Sequence, residues 1–89
     1  MRVIHKYLFE GSPISMPVGA EIVSVGDQGP NLCIWAKVNS IGTATEKRDF
    51  KLLATGEDLM GYTKHIYTSI GETYVLHLME SETVFHAIP

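Results

Sequence analysis

A chain of 89 residues has room for one domain, residues 1–89, and its single cysteine excludes an internal disulfide and a multi-cysteine zinc site. Its hydrophobic content of 45% and charged content of 19% indicate a globular protein rather than a disordered one. The net charge of −3 disfavours nucleic-acid binding, and the lack of a long apolar run or a signal-peptide pattern predicts a reducing cytoplasm and no membrane partner.

The first predicted strand is "VIHKYLFE" (3–10), in which Val3, His5, Tyr7 and Phe9 share one face. A turn and a short extended piece, "ISMP" (14–17), follow it. The segments "AEIVSVGDQ" (20–28) and "LCIWAKV" (32–38) then predict a hairpin with a long, bulged connection.

The strand at 32–38 holds the chain's only cysteine and its only tryptophan. Alternation divides it into two faces, with Leu32, Ile34, Ala36 and Val38 on one and Cys33, Trp35 and Lys37 on the other. A nucleophilic cysteine needs a nearby base or a helix N-terminus, and the local sequence supplies neither. We therefore interpret Cys33 and Trp35 as packing residues, with Trp35 facing a second core layer, a partner subunit or a ligand.

Residues 45–54 fit two patterns. Thr43 and Glu46 have the spacing of a helix capping box, but "RDFKLLA" (48–54) also alternates as a half-buried strand, which we favour. The mixed charges of "EKRDFK" (46–51) predict a solvated strand face, with phosphate binding by Lys47 and Arg48 as the alternative.

Three further strands are predicted at "KHIYTSI" (64–70), "TYVLHLM" (73–79) and "TVFHAI" (83–88), the first two joined by the two-residue loop Gly71-Glu72. The total is six to seven short strands with at most one short helix. We predict an all-β or β-dominated fold, either a small antiparallel barrel or a sandwich. Because the strand edges of so small a domain need cover, we expect a homodimer or a larger symmetric assembly.

Two histidines form a candidate binding site. A hairpin centred on Ser81 and Glu82 would place His77 directly opposite His86, with Cβ atoms about 4.5–5.5 Å apart. Such imidazoles could share a ligand or a proton, or could be a structural pair, neutral and hydrogen-bonded among apolar neighbours. A metal ion would need a third and a fourth ligand, for which the pattern singles out neither His65 nor Glu80, so no metal site is predicted.

Aromatic side chains with polar tips form a second candidate site. Trp35, with Tyr7, Tyr62, Tyr67 and Tyr74, could line a ligand groove or a subunit interface, or could lie at the edge of the core. No Walker loop, dinucleotide fingerprint, zinc-protease helix or serine elbow is present. We therefore predict no catalytic residues and no cofactor.

Several short motifs occur in a recognisable order: "HKY" (5–7), "MPVGAEIVSV" (16–25), "LCIWAKV" (32–38), "RDFKLLATG" (48–56) and "VFHAI" (84–88). Over most of its length the chain thereby resembles a group of small proteins of tailed bacteriophages. That resemblance implies a phage accessory protein of compact, β-rich fold, acting in the host cytoplasm. It carries no catalytic residues onto this sequence.

The function expected on these grounds is non-enzymatic. The protein would bind a host or defence protein, or would sequester a small molecule at a subunit interface. The alternative is a minor structural protein of the virion. A hydrolase or transferase is disfavoured because no residue set combines a nucleophile with an evident base.

Overall fold

The computed structural model describes residues 1–42 and 44–82 and the backbone of residues 85 and 86. In that part of the chain all regular structure is β. The nine strands are β1 (Arg2–Leu8), β2 (Ile14–Pro17), β3 (Glu21–Gln28), β4 (Asn31–Asn39), β5 (Thr45–Arg48), β6 (Phe50–Ala54), β7 (Lys64–Ile70), β8 (Val75–Glu80) and β9 (Phe85–His86). The all-β prediction is confirmed. There are nine strands in the described part of the chain and not the predicted six to seven, and several of them have only two to five residues.

The strands form three antiparallel sheets of three strands each. Sheet 1 has the order β1-β4-β3, sheet 2 the order β2-β5-β9 and sheet 3 the order β6-β8-β7. The sheets do not close into a barrel, so the sandwich is the better of the two predicted descriptions. One face of sheet 1 packs against sheets 2 and 3, and these buried faces form the core.

The core is built by alternation, as predicted for 32–38. Strand β4 contributes Ile34, Ala36 and Val38, each at most 1% exposed, and flanking strands bring partly buried apolar side chains to the same layer. The buried members of this cluster are Met16, Ala20, Ile34, Ala36, Val38, Phe50 and Leu78. Since β4 pairs on both sides, with β1 and with β3, it is the central strand of sheet 1.

Residues 45–54 are strand, as favoured, and the helical alternative is wrong. The segment divides at Asp49, where the chain leaves sheet 2 and enters sheet 3. Side-chain hydrogen bonds hold this junction, because the Asp49 carboxylate accepts from the hydroxyls of Ser12 and Tyr62. Thr43, the expected cap of a helix, and most of the predicted strand at 83–88 lie outside the described residues.

Two predicted connections differ from the structure. Strands β3 and β4 are joined by only two residues, Gly29 and Pro30, and the bulge lies within β3 at residues 22–24. The loop between β7 and β8 has four residues, 71–74, and not the predicted two, because Ile70 pairs with Val75. The Gly71 amide donates to the Tyr74 carbonyl within this loop.

The predicted hairpin that places His77 opposite His86 is wrong. His77 lies opposite Leu53 on one side and Thr68 on the other, since β8 is the central strand of sheet 3. His86 lies opposite Glu46 in sheet 2. The physical reason is that β8 is largely apolar and pairs along both of its edges, which leaves no edge for β9.

Candidate functional site

The outward side of sheet 1 combines one aromatic with exposed apolar side chains. Trp35 lies half-buried on central strand β4, and Ile4 and Leu8 on β1 are 60% and 40% exposed. Val23, at the bulge of β3, is 45% exposed. We call these four residues, together with Lys6 and Lys37, the Trp35 face. It forms because β1 and β4 alternate in phase, so that Lys6 lies directly opposite Trp35 and Ile4 opposite Lys37.

Two polar contacts bridge across β4 on this side. The Lys6 ammonium donates to the Gln28 side-chain oxygen at 2.8 Å, and the Arg2 guanidinium lies 3.6 Å from the Glu21 carboxylate. Among the described residues neither Lys6 nor Lys37 has a carboxylate within 4.0 Å, and Glu21, which lies opposite Lys37, is paired with Arg2. The Trp35 face is therefore positively charged, on a chain whose net charge is −3.

Cys33 lies beneath the Lys6–Gln28 bridge. It is a free thiol with no exposed surface, and its sulfur is 4.0 Å from both the Gln28 side-chain oxygen and the Asn31 carbonyl oxygen. Neither neighbour can act as a base toward the thiol, so the environment is that of a packing residue. Cys33 is thus a buried packing residue, whereas Trp35, two residues further along the strand, is partly exposed at the surface.

The outward side of sheet 3 carries a chain of hydrogen bonds between two histidines and two threonines. The Thr68 hydroxyl lies 2.7 Å from His65 Nε2 and 3.0 Å from His77 Nδ1, and the Thr55 hydroxyl lies 2.9 Å from His77 Nε2. The two imidazole centroids are 6.1 Å apart. The bulge in β7 places His65 and Thr68 on one side of the strand, a juxtaposition that simple alternation did not predict.

The structure separates the predicted site residues. Tyr7 and Tyr67 pack against the core on inward faces, and burial raises the pKa of the Tyr7 phenol. Trp35 is on the opposite side of sheet 1 from Tyr7, and His77 is on sheet 3. The backbone of His86 lies in β9, but its side chain is outside the described residues. No common groove unites these five residues.

A buried ion pair that the sequence pattern did not predict lies between the sheets. The Arg48 guanidinium meets the Glu80 carboxylate through two hydrogen bonds, of 2.6 and 2.8 Å, and donates a third to the Ala20 carbonyl at 2.7 Å. The hydrogen bonds to Glu80 raise the Arg48 pKa further. With Arg48 only 7% exposed, the expected solvated strand face is wrong at this position, and its guanidinium is already committed to protein partners.

The sequence did contain a signal for this burial. Arg48 is two residues from the apolar Phe50, and Glu80 is two residues from the apolar Leu78, so alternation puts each charged side chain on the same face as a core residue. A cleft of about 320 Å³ opens beside this pair, between β3 and β7, and Lys64 lines it. The Lys64 ammonium lies 3.9 Å from the Glu80 carboxylate. Because Glu21 also lines the cleft, two carboxylates face the two cations, and the cleft offers an anionic ligand little uncompensated positive charge.

The described residues lack two further features. They contain no group of three or more His, Cys, Asp or Glu side chains that could hold a metal ion. They also contain no helix of the length and hydrophobicity needed to cross a membrane.

Comparison with known proteins places the chain in one family. Searches of curated proteins and of solved structures gave no match. A family model described as a domain of unknown function, DUF7352, matches residues 1–87. Because that match spans nearly the whole length, the chain belongs to the DUF7352 family.

Proposed function

We propose that this chain is a non-enzymatic accessory protein of a tailed bacteriophage, and that its Trp35 face binds a host or defence protein. The sequence motifs described above support the phage assignment. The observation that carries the binding role is the composition of the Trp35 face, where one aromatic lies among three exposed apolar side chains. Aromatic residues are enriched at the centres of protein interfaces and supply much of their binding energy.

The charge of this face favours a particular kind of partner. Lys6 and Lys37 lie beside Trp35, and among the described residues neither forms an ion pair, since Glu21, opposite Lys37, is paired with Arg2. A protein with an apolar patch rimmed by Asp and Glu would complement them and would be steered toward them by the field. Nucleic acid is a poorer match, because two lysines neutralise too few phosphates to offset the repulsion from a chain of net charge −3.

The single tryptophan makes the proposal directly measurable. Trp35 is the only indole in the chain, so a partner that covers the Trp35 face must shift or quench its fluorescence. Proteins retained from host lysate by the wild-type chain should be lost with Trp35→Ala. They should be kept with Ile70→Ala, which removes a side chain that is 80% exposed on sheet 3. Truncating a central aromatic should weaken binding by about 2 kcal/mol or more.

Three outcomes would overturn the proposal. Equal retention of the partner by Trp35→Ala and Ile70→Ala would place the contact elsewhere. Recovery of the chain in stoichiometric amount from purified virions would favour the structural role instead. A small molecule retained in native mass spectrometry, or tight binding of a single-stranded oligonucleotide, would replace the protein partner with another ligand.

A further inference from the structure

The exposed edges of the three sheets differ in how they are protected against pairing with another chain. An unprotected edge presents a row of backbone N–H and C=O groups, and proteins interrupt such rows with bulges, prolines, short strands or side-chain caps. Edge strands β3 and β7 each carry a bulge. In sheet 2, β2 ends in Pro17, and β9 adjoins residues outside the described part of the chain.

The edge of β6 is capped by side chains. The Phe50 amide donates to the Ser12 hydroxyl at 2.7 Å, and the Ala54 amide donates to the Glu57 carboxylate at 3.0 Å. The Ala54 carbonyl in turn accepts from the Glu57 amide. Four of the six sheet edges therefore carry a blocking device, and the fifth, β9, adjoins residues outside the described part of the chain.

The sixth edge, β1, has none of these devices in the part of the chain that the structure describes, and its charged side chains, Arg2 and Lys6, reach across β4 to Glu21 and Gln28, away from the open edge. It pairs with β4 through seven consecutive residues in unbroken register, with no bulge and no proline. The Phe9 amide donates to the Leu32 carbonyl, and the Ser40 amide donates to the Met1 carbonyl. Odd-numbered residues therefore bond to β4, and the backbone groups of even-numbered residues point outward.

These outward groups belong to Arg2, Ile4, Lys6 and Leu8, and they suit a second β1 in the antiparallel direction. In the register centred on His5, Arg2 lies opposite Leu8 of the second copy, and Ile4 lies opposite Lys6. All seven residues of the strand are then paired, and no like charges are opposed. A register centred on Ile4 would oppose Arg2 and Lys6, and one centred on Lys6 would oppose two lysines.

We propose that β1 is a homodimer interface, in which two copies of this chain pair antiparallel about a twofold axis at His5. The two copies of sheet 1 join into one six-stranded sheet. Each opposed pair of even-numbered residues exchanges two backbone hydrogen bonds, about eight in total. In this register odd-numbered residues lie opposite odd-numbered residues. The core-facing side chains of the two copies are therefore on the same side of the joined sheet. This pairing is independent of the partner proposed for the Trp35 face.

The dimer gives the Trp35 face a definite arrangement. A twofold axis perpendicular to the sheet leaves both Trp35 side chains on the same side of it. Three inter-strand steps of about 4.8 Å separate the two copies of β4, which puts the tryptophans about 15 Å apart. A twofold-symmetric or repeated partner could then contact both at once, and bivalent binding strengthens overall affinity without new contacts.

The first experiment measures self-association of the full chain by sedimentation equilibrium, with two opposite charges introduced at one exposed position. Ile4→Lys opposes like charges at two symmetric places and should weaken the dimer. Ile4→Glu opposes Lys6 with a carboxylate and should tighten it, roughly two- to tenfold. Because Ile4 is 60% exposed, neither change disturbs the core of the subunit. Ile70→Glu, on the exposed end of β7, is the control and should leave association unchanged.

The second experiment tests the register. Residues at the centre of the pairing form a non-hydrogen-bonded pair with Cα atoms about 4.5 Å apart, within the range for a disulfide. His5→Cys should therefore form an intermolecular disulfide under mild oxidation. Ile4→Cys should not, because its symmetry mate lies two residues further along. The native Cys33 is fully buried and contributes no competing cross-link.

Three results would overturn the proposal. A wild-type chain that stays monomeric at high micromolar concentration excludes the dimer. Weakening by both Ile4→Lys and Ile4→Glu excludes the register centred on His5. Cross-linking through Ile4→Cys without cross-linking through His5→Cys shifts the axis to Ile4. Folding of every variant is checked by circular dichroism, so that loss of association is not mistaken for unfolding.

Discussion

The buried pair of Arg48 and Glu80 has a large effect on stability if either charge is left alone. Both side chains are removed from water, at 7% and 3% exposure, and together they satisfy each other through two hydrogen bonds. Taking two charges out of water costs several kcal/mol per ion, and their mutual attraction offsets that cost only while both are present. The pair therefore contributes little net stability but fixes how β5 and β8 meet.

Removing one charge should be far worse than removing both. Glu80→Gln removes the carboxylate to which the buried guanidinium is hydrogen-bonded and leaves Glu46 as its remaining acidic neighbour, so we expect the free energy of unfolding to fall by about 3–5 kcal/mol. The double variant Arg48→Met with Glu80→Leu should lose much less than the sum of the two single variants. Urea unfolding of the wild-type chain, Arg48→Met, Glu80→Leu and the double variant gives the comparison. Additive losses would contradict the coupling.

The phenol of Tyr62 predicts a loss of stability at alkaline pH. Its hydroxyl donates to the Asp49 carboxylate at 2.7 Å, and this hydrogen bond raises the Tyr62 pKa because ionisation would break it and oppose two negative charges. Since the folded-state pKa is raised, the contribution is complete below the ordinary phenol pKa of about 10. It is lost as the pH rises through the raised value.

Two variants test this contribution. Tyr62→Phe should flatten the alkaline decline in the free energy of unfolding, and Asp49→Asn should lower the Tyr62 pKa seen by ultraviolet difference titration. Tyr7, whose pKa is raised by burial, serves as an internal comparison and should be unaffected by Asp49→Asn. A Tyr62 phenol that titrates identically in both chains would contradict the hydrogen bond.

Thr68 holds two imidazoles through one hydroxyl, so its removal should release both. Thr68→Val keeps the shape of the side chain but deletes the contacts to His65 and His77. Each net hydrogen bond contributes about 0.5–1.5 kcal/mol, and partial exposure puts the expected loss near 1 kcal/mol. Broader sampling of the His65 ring by NMR would accompany it. An unchanged His65 ring would show that the chain of hydrogen bonds does not persist in solution.

At the scale of the element, β4 is the strand on which the rest of sheet 1 depends. It pairs along both edges, and Ile34 is fully buried at the centre of the core cluster. Ile34→Ala should destabilise the chain by about 2–5 kcal/mol, a large share of the total stability of a small domain. Ile70→Ala, at 80% exposure, should cost little. Thermal unfolding separates the two, and equal effects would place the core elsewhere.

Strand identity was largely predictable because it depends on local alternation. The predicted limits of 64–70 match β7, and the two faces assigned to 32–38 match the burial of β4, apart from Cys33. Cys33 is buried on the outward side because the Lys6 and Gln28 side chains meet above it, which alternation alone does not reveal. The sequence thus predicted where strands lie better than what covers them.

Strand pairing was less predictable because it depends on contacts distant in sequence. The placement of His77 opposite His86 assumed that adjacent strands pair with each other, whereas β8 pairs with β6 and β7. Of the candidate site residues, Trp35 could be placed by alternation on the side of β4 opposite the core stripe, but whether a second core layer covers it could not be decided from the sequence. The histidine–threonine chain could not be predicted because it depends on the bulge in β7. The Arg48–Glu80 pair could not be predicted because it depends on how two sheets pack.

At the scale of the whole molecule, the three sheets make a thin body with extents of 43, 28 and 17 Å. Such a shape exposes much surface for its volume, and a domain of this length has a small core. Pairing two copies through β1 extends the sheet without requiring a larger core. A dimer stabilises its folded subunits by mass action, so the midpoint of thermal unfolding should rise with protein concentration.

Salt should strengthen that dimer. Each copy carries a net charge of −3, so two copies repel each other at long range, while the register centred on His5 opposes no like charges at short range. Raising the ionic strength shortens the Debye length to about 10 Å at 0.1 M and screens the repulsion between copies. Sedimentation equilibrium at low and high sodium chloride should therefore show tighter association at high salt. Ile4→Glu, which adds attractive contacts to Lys6, should lose part of its advantage under the same conditions. Weaker association of the wild-type chain at high salt would mean that opposite charges hold the copies together, and would exclude the β1 register.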